Sequence, residues 1–217
     1  MSLAIFDLDN TLISGDSDVL WGEFLGEHGI VDTDAHNRAQ QQFYQDYLGG
    51  RLDINAFLRF QLEVLTRYDI DTLEQLRQRF MEEKIAPVML PRAEGLLQRH
   101  REQGDRLLII TATNRFVTEP IARRLGVAEL IASEPEMFAG RYTGRVHGTP
   151  SYAEGKVTRL HEWLGSAGEN LEGSWFYSDS RNDLPLLREV THPVAVDPDE
   201  VLAAAAREND WTIISLR

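Results

Sequence analysis

The fold is decided near the start of the chain by the stretch Leu3-Ala-Ile-Phe-Asp-Leu-Asp-Asn-Thr11. Its first four residues are apolar without alternation, which is typical of a strand buried on both faces, as in the parallel sheets of α/β proteins. Asp7 and Asp9 follow at once, at the carboxyl end of that strand. Because open α/β sheets bind their ligands at this edge, the sequence predicts a functional site there.

Two further buried strands also end in polar side chains. They are residues 106–110, followed by Thr111 and Thr113, and residues 174–178, followed by Asp179 and Asp183. Strand patterns also occur at residues 130–132, 193–196 and 211–215 and in a hairpin at 137–146, with helical patterns between them. Strands that alternate with helices predict an α/β fold with a mostly parallel sheet and helices on both faces. We therefore expect the three polar strand ends to meet in one site.

After the first strand the pattern turns helical. Segments such as Val19–Leu25 and Phe57–Leu65 space their apolar residues to form helix faces, and strand patterns are missing. We interpret the aromatic residues of this segment as its own core rather than as a stacking surface. The predicted organisation is an α/β core of residues 1–14 and 86–217, interrupted by a helical insert of residues 15–85.

The chain of 217 residues carries a formal net charge of −13, and only two of its 22 basic residues are lysines, Lys84 and Lys156. Binding to nucleic acid depends on basic residues that neutralise phosphates, so this charge argues against it. No apolar run approaches the roughly 20 residues of a membrane-spanning helix, and the start of the chain lacks the features of a signal peptide. Since there is also no cysteine to indicate an oxidising compartment, we expect a cytoplasmic protein that binds neither nucleic acid nor membrane.

The predicted site suits a magnesium ion. Asp7, Asp9 and Asp179 supply only carboxylate oxygens, and no histidine pair stands at metal-ligand spacing. Hard oxygen ligands suit Mg²⁺ and suit Zn²⁺ poorly. A Mg²⁺ ion with few protein ligands leaves positions for water and phosphate oxygens, so phosphoryl transfer is the favoured chemistry. One carboxylate can attack phosphorus, while the other protonates the leaving alcohol and then activates water.

Phosphoryl transfer also needs hydrogen-bond donors and a cation besides the metal, because negative charge spreads over the transferred oxygens. Thr111 and Lys156 are the candidates. Lys156 follows Gly155 near the start of a predicted helix, whose N-terminus favours anions. Each motif also has a plainer interpretation: a solvated turn for the acids up to Thr11, a helix cap for Thr111 and a surface position for Lys156. Their joint order along the chain favours a site.

With these residues the chain resembles the haloacid dehalogenase superfamily, in its phosphoserine-phosphatase-like branch, over nearly its whole length. The motifs that carry the resemblance are Asp7-Leu-Asp-Asn-Thr11, Thr111, Lys156 and Asp179-Ser-Arg-Asn-Asp183. The resemblance implies a Rossmann-like core with an inserted helical cap. It implies that Asp7 is the nucleophile, that Asp9 is the acid and base, and that Thr111 and Lys156 hold the phosphate. It also implies that Ala112 and Asn182 lie beside the substrate. The residues that it implies around Mg²⁺ are Asp7, Asp9 through its main-chain oxygen, Asp179, and Asp183, which stabilises the metal ligands.

Asp9 favours a phosphatase over a dehalogenase, because dehalogenation needs no acid to protonate a leaving alcohol. In phosphoserine phosphatases an acid shortly after the first motif binds the substrate's ammonium group, and an arginine of the cap binds its carboxylate. Asp16 resembles that acid, but Gln61 stands where we expect the arginine, and Arg59 lies about 200° away around a helix. A pocket entrance with Asp16, Asp18 and Glu23 and no carboxylate-binding arginine fits a phosphate ester with an amine and no carboxylate, such as L-histidinol phosphate.

The sequence therefore predicts a Mg²⁺-dependent phosphomonoesterase that acts on a small phosphorylated metabolite through an aspartyl-phosphate. Three alternatives stay open at this point. They are a phosphoserine phosphatase, a phosphotransferase that passes the phosphoryl group to an alcohol, and an inactive module of the same fold that binds phosphorylated ligands.

Overall fold

A seven-stranded sheet runs through the centre of the computed structural model, which describes residues 2–217. Its strands are β1 (Leu3–Phe6), β2 (Arg106–Asn114), β3 (Glu129–Phe138), β4 (Arg141–His147), β5 (Trp175–Ser178), β6 (His192–Val196) and β7 (Thr212–Ile214). Their order across the sheet is β4-β3-β2-β1-β5-β6-β7. All neighbouring strands are parallel except β3 and β4, which form an antiparallel hairpin at one edge.

Strand β1 is central because its residues are apolar on both faces. Phe6 is in register with Ile109 of β2 on one side and with Tyr177 of β5 on the other. Leu3 and Ile5 contribute to the hydrophobic cluster on one face of the sheet, while Ala4 and Phe6 contribute to the cluster on the opposite face. The carboxyl ends of β1, β2 and β5 are therefore adjacent, at the point where the chain switches from one side of β1 to the other.

The segment between β1 and β2 is helical until the sheet resumes. It contains α1 (Ser17–Glu27), α2 (Thr33–Leu48), α3 (Ile54–Glu63) and α4 (Ile70–Phe80), then a π-helical turn (Met81–Ile85), a 3₁₀ turn (Ala86–Val88) and α5 (Pro91–Gln103). An aspartate caps the start of each of the first four helices, with its carboxylate accepting backbone N–H groups; these are Asp16, Asp32, Asp53 and Asp69. An isolated antiparallel bridge between Ile13 and Met89 joins the two ends of the segment.

Helices cover both faces of the sheet. After β2 the chain adds α6 (Arg115–Arg124), α7 (Glu154–Ala167), α8 (Leu184–Leu187) and α9 (Glu200–Glu208). Apolar residues of α5 and α6 join the hydrophobic cluster on one face, and those of α7, α8 and α9 join the cluster on the other. A mostly parallel sheet between helical layers is a Rossmann-like α/β fold, so the predicted fold class is confirmed.

The division into a core and a cap at residues 15 and 85 stays a prediction. One hydrophobic cluster contains Phe6 of β1, Trp21 of α1 and Phe116 of α6 together. The rings of Trp21 and Phe116 lie 5.7 Å apart at 64°, so α1 packs directly on the helix that follows β2. The apolar interior is thus continuous between the helical segment and the sheet.

One strand is longer than its sequence pattern indicates. The pattern predicts a short strand at residues 130–132 and a separate hairpin at 137–146, but β3 runs without a break from Glu129 to Phe138. Its first half pairs with β2 as far as Ser133, and its second half pairs only with β4. The second half lies at the sheet edge and is partly or fully solvent-accessible. Its residues are therefore not constrained to be apolar, and a prediction based on apolar runs does not detect it. Within residues 2–217 no helix combines the length and apolar character needed to cross a bilayer.

Candidate active site

Asp7 stands at the end of β1 and is almost fully buried, with 6% of its surface exposed. Its Oδ1 accepts a hydrogen bond from Lys156 Nζ at 2.8 Å. The same Nζ lies 2.8 Å from both carboxylate oxygens of Asp183, which also accepts a hydrogen bond from Ser178 Oγ at 2.6 Å. One buried ammonium group therefore joins the end of β1 to the segment after β5.

Burial and mutual charges shift the pKa values of Asp7 and Lys156. Burial raises the pKa of Asp7 well above its ordinary value; Lys156 opposes this shift, and the neighbouring acids Asp183, Asp179 and Asp9 add to it. Burial alone would lower the pKa of Lys156, but the carboxylates of Asp183 and Asp7 outweigh burial and raise it. Lys156 therefore stays charged at neutral pH, and it is the positive charge that favours the ionised form of Asp7.

A close backbone approach fixes Lys156 in this position. The residue lies in the first turn of α7, and the helix is preceded by Ala153, which has a positive φ of 48°. Gly155 packs so closely on the preceding loop that a Cβ there would lie 2.1 Å from the carbonyl oxygen of Pro150. Only a glycine allows the first turn of α7 to sit this near to the loop.

The Asp9 carboxylate binds partners other than Lys156. Its Oδ1 accepts the backbone N–H of Ser17 at 2.7 Å, and its Oδ2 accepts the hydroxyl groups of Thr111 at 3.2 Å and Thr113 at 3.0 Å. The turn after β1 allows this because Asn10 adopts a positive φ of 56° and the chain folds back at once. Asp7 and Asp9 are therefore held by different partners, as acids with two different roles require.

Asp179 follows β5, and Thr11 Oγ1 donates to its Oδ1 at 3.2 Å. Burial, with the nearby charge of Asp183, raises the pKa of Asp179 to about 7. Asp7 and Asp179 are thus two buried carboxylates that offer only oxygen ligands. The positive charge of the surrounding side chains is not enough to neutralise their ionised forms. A hard divalent cation such as Mg²⁺ fits this donor set.

The four acids of the expected Mg²⁺ site do not form a single side-chain cluster. In the described part of the chain no three His, Asp or Glu side chains are grouped closely enough to hold a metal ion by themselves. The carboxylate of Asp9 binds the three donors named above, and that of Asp183 binds Lys156 and Ser178. Side-chain oxygens for a metal would therefore come from Asp7 and Asp179, with main-chain oxygen and water completing the shell.

A cavity of about 260 Å³ opens above these residues, between the sheet edge and the helices α1 to α3. Ligand pockets of roughly 300–1,000 Å³ hold drug-sized molecules, so this one suits a small metabolite. The residues on the sheet side of its lining include Asp7, Asp9, Thr111, Ala112, Thr113, Asp179 and Ser180. The residues on the helical side include Gln40, Phe43, Tyr44, Tyr47, Leu52, Ile54 and Phe57.

One corner of the cavity is acidic. Asp16 caps α1 by accepting the N–H groups of Asp18 and Val19, and burial together with the charge of Asp9 raises its pKa to about 7. Burial also raises the pKa of Asp18, and the charges of Asp16 and Asp9 add to this shift. Within residues 2–217 none of these three acids forms a salt bridge. The corner is therefore suited to a positively charged group of a ligand.

The helical side of the cavity contributes no cation. Of the described residues that line it, Arg181 alone is basic, and it belongs to the segment after β5. Arg181 is also occupied, because its Nε lies 3.4 Å from Asp199, which accepts its backbone N–H as well. Arg59 is exposed on α3 and does not line the cavity.

Three residues that the sequence predicted near the substrate do not line the cavity. Gln61 does not line the cavity; it is buried on the face of α3 that turns towards α2, where its Nε2 donates to Gln40 Oε1 at 3.1 Å. Asn182 lies at the margin, with its amide 3.4 Å from Ser180 Oγ. Glu23, near the acidic run, pairs with Lys84 on the outside of the protein. Asp16 and Ala112 do line the cavity.

The sequence did not identify two cavity features. The aromatic residues of the helical segment, which the sequence pattern assigns to its core, include four that line the cavity: Phe43, Tyr44, Tyr47 and Phe57. Tyr47 also reaches across to the sheet side, where its hydroxyl lies 2.6 Å from Ser180 Oγ, next to Asp179. The spacing of residues 40, 43, 44, 47 and 48 on one face of α2 was the available signal, but spacing alone does not say whether a face meets protein or cavity.

Comparisons with known proteins show the family of this chain. A family model described as haloacid dehalogenase-like hydrolase matches residues 4–188. A histidinol-phosphatase of Neisseria meningitidis serogroup C is 45% identical over 220 residues, which cover 100% of this chain and 99% of that protein. A Bordetella pertussis protein with unknown function has a solved structure with a TM-score of 0.94 and 41% identity, covering 100% and 99% of the two chains. A substrate-bound phosphoserine phosphatase has the same fold, with a TM-score of 0.69, 18% identity and coverage of 100% and 93%.

Proposed function

Because this chain belongs to the family of haloacid dehalogenase-like hydrolases and is a phosphatase of that family, we propose that it hydrolyses L-histidinol phosphate with Mg²⁺. The observation that carries the reaction is the buried contact of Asp7 with Lys156 at the carboxyl ends of the central strands. A carboxylate held by a buried cation at this edge is suited to receive a phosphoryl group.

Asp7 is the proposed nucleophile. Its carboxylate oxygen attacks phosphorus, the bond from phosphorus to the ester oxygen breaks, and an aspartyl-phosphate forms on Asp7. Asp9 gives its proton to the departing alcohol oxygen. In the second step Asp9 takes a proton from water, which attacks phosphorus and releases inorganic phosphate from Asp7. The hydroxyl group of Thr113 holds the Asp9 carboxyl group in place through both steps.

Lys156 and Thr111 are proposed to hold the phosphate. Lys156 lies at the first turn of α7, so the positive end of that helix adds to its charge. Asp183 accepts two hydrogen bonds, from Lys156 and from Ser178, and so keeps the ammonium group directed at Asp7. Mg²⁺, which Asp7, Asp179 and the main-chain oxygen of Asp9 would hold, supplies positive charge to the phosphate oxygens when bound.

The substrate proposal is supported by what the cavity contains and lacks. Asp16 and Asp18 line an acidic corner that suits an ammonium group, and the helical side offers no cation for a carboxylate. Phosphoserine would place its carboxylate in this negative surrounding, whereas L-histidinol phosphate carries an ammonium group and no carboxylate. The relative that covers the whole chain at 45% identity is named a histidinol-phosphatase, which agrees with this choice.

The test is release of inorganic phosphate from L-histidinol phosphate, phosphoserine and O-phosphoethanolamine, each with Mg²⁺ and with excess chelator. We expect turnover that needs Mg²⁺ and that is fastest on L-histidinol phosphate. Asp7→Asn should abolish it, while Asp71→Asn, the same change on the exposed first turn of α4, should leave it unaltered. Faster hydrolysis of phosphoserine would refute the substrate, and release from none of the three would refute the reaction.

A further inference from the structure

Helix α2 turns its apolar face towards the cavity. Gln40, Phe43, Tyr44, Tyr47 and Leu48 all line the cavity, and their spacing along the helix places them on one face. Helix α2 (Thr33–Leu48), every residue of which the structure describes, has no fully buried side chain. An apolar helix face normally meets the protein core, so here the cavity stands where a core would be.

The walls of this part of the cavity are suited to a flat ring. Phe43 of α2 and Phe57 of α3 lie with their ring centroids 5.4 Å apart at 72°, and both line the cavity. Leu52 and Ile54, at the start of α3, complete an apolar wall beside them. Aromatic side chains in such edge-to-face arrangements pack favourably on a further ring.

Gln40 contributes the one amide group among these five residues. Its Oε1 accepts a hydrogen bond from Gln61 Nε2 at 3.1 Å, and Gln61 is only 2% exposed. No other hydrogen bond to the Gln40 side chain is found within the described residues. Once Gln61 occupies one lone pair of Oε1, Gln40 has a second lone pair and an NH₂ group free to bind a ligand.

We infer that Gln40, positioned by Gln61, is the residue that recognises the leaving group, by hydrogen bonding to a nitrogen-containing ring seated against Phe43 and Phe57. The inference rests on the proposed function, since it concerns the alcohol part of that substrate. An imidazole carries one N–H donor and one ring-nitrogen acceptor, and the free groups of Gln40 complement both. A site built around such a polar group discriminates against a ring that lacks nitrogen.

Two substrates that differ in the ring test this inference: L-histidinol phosphate and L-phenylalaninol phosphate, which has the same ammonium and phosphate groups. Gln40→Met should lower kcat/KM for L-histidinol phosphate roughly 3- to 10-fold, the loss expected for one or two neutral hydrogen bonds, and mainly through KM. Its effect on L-phenylalaninol phosphate should be small. The ratio of kcat/KM for L-histidinol phosphate to kcat/KM for L-phenylalaninol phosphate should therefore fall. Gln61→Met should lower this ratio as well, because Gln61 acts through Gln40.

Gln42→Met is the matched control. Gln42 lies on the same helix, bonds to Asp46 on the surface and does not line the cavity, so its ratio should equal that of the unaltered protein. An unchanged ratio in Gln40→Met would overturn the inference, as would an equal loss on both substrates, which would indicate a role in folding. The proposed function is tested separately, by the rate of the unaltered protein on L-histidinol phosphate. If that rate is absent, the proposed function and the inference fall together.

Discussion

Replacing Gly155 by alanine should strongly lower the activity of the protein without removing any functional group. The added Cβ would lie 2.1 Å from the carbonyl oxygen of Pro150, whereas non-bonded atoms settle about 3.5 Å apart. The obstacle is backbone and cannot rotate away. Relief therefore requires the first turn of α7 and the loop to separate by about 1 Å or more, and Lys156, the next residue, moves with that turn.

Displacement on this scale has a large kinetic effect. A catalytic group misplaced by about 1 Å costs on the order of 100-fold in rate, so we expect kcat to fall by about that factor. Overpacking also costs about 1–3 kcal/mol of unfolding free energy. In a protein of this length each kcal/mol lowers Tm by about 2–4 °C, so the melting temperature should drop by several degrees while the protein remains folded at 25 °C.

The assay is phosphate release at saturating substrate, with thermal unfolding measured on the same samples. Gly165→Ala is the matched control, because Gly165 lies near the end of the same helix and a Cβ there would meet nothing within 4 Å. It should keep full activity and gain up to about 1 kcal/mol from helix propensity. If Gly155→Ala behaves like Gly165→Ala, then the close approach to Pro150 is not what positions Lys156.

Three further changes have expected outcomes. Lys156→Met should lower kcat at least about 100-fold and destabilise the fold by about 3 kcal/mol, because it leaves two buried carboxylates without their cation; kinetics and urea unfolding check this. Tyr47→Phe, which removes the hydroxyl contact with Ser180, should lower kcat/KM roughly 3- to 10-fold with little change in Tm. Burial alone would raise the pKa of Asp105, but its hydrogen bonds, of which the one with His100 is the strongest, outweigh burial and lower this pKa. Asp105→Asn should therefore lower the free energy of unfolding by about 1–3 kcal/mol at neutral pH. Urea unfolding across pH should show a smaller difference below about pH 4, because Asp105 of the unaltered protein becomes protonated there and no longer contributes this stability.

The sequence predicted those parts of the site that depend on strand ends. An unalternated apolar run followed by Asp7 required a buried parallel strand, and parallel strands bring their carboxyl ends to one edge. Asp7, Thr111 and Asp179 therefore had to lie near one another whatever the loops did. Lys156 was identifiable because a lysine beside a predicted helix start stands out in a chain with only two lysines.

Orientation could not be predicted in the same way. The direction of the Asp9 carboxylate depends on a turn at Asn10 with positive φ, and no pattern of apolar residues encodes that turn. Gln61 was expected at the cavity because the family resemblance aligned it with the carboxylate-binding arginine of the cap, but the rotation of α3 against α2 buries it behind Gln40. Helix packing angles arise from many small contacts, so a single sequence does not fix them.

Helix α2 has no fully buried side chain, whereas α1 is anchored in the shared hydrophobic interior by Trp21 and Phe24. Segments with few buried contacts open at a fraction of the global unfolding free energy, so backbone amides of α2 should exchange with solvent hydrogen far faster than those of α1. A bound leaving group would supply the apolar contacts that α2 lacks and slow that exchange. The substrate would then serve as the missing core of the helix that surrounds it, and product release would return this part of the chain to its looser state.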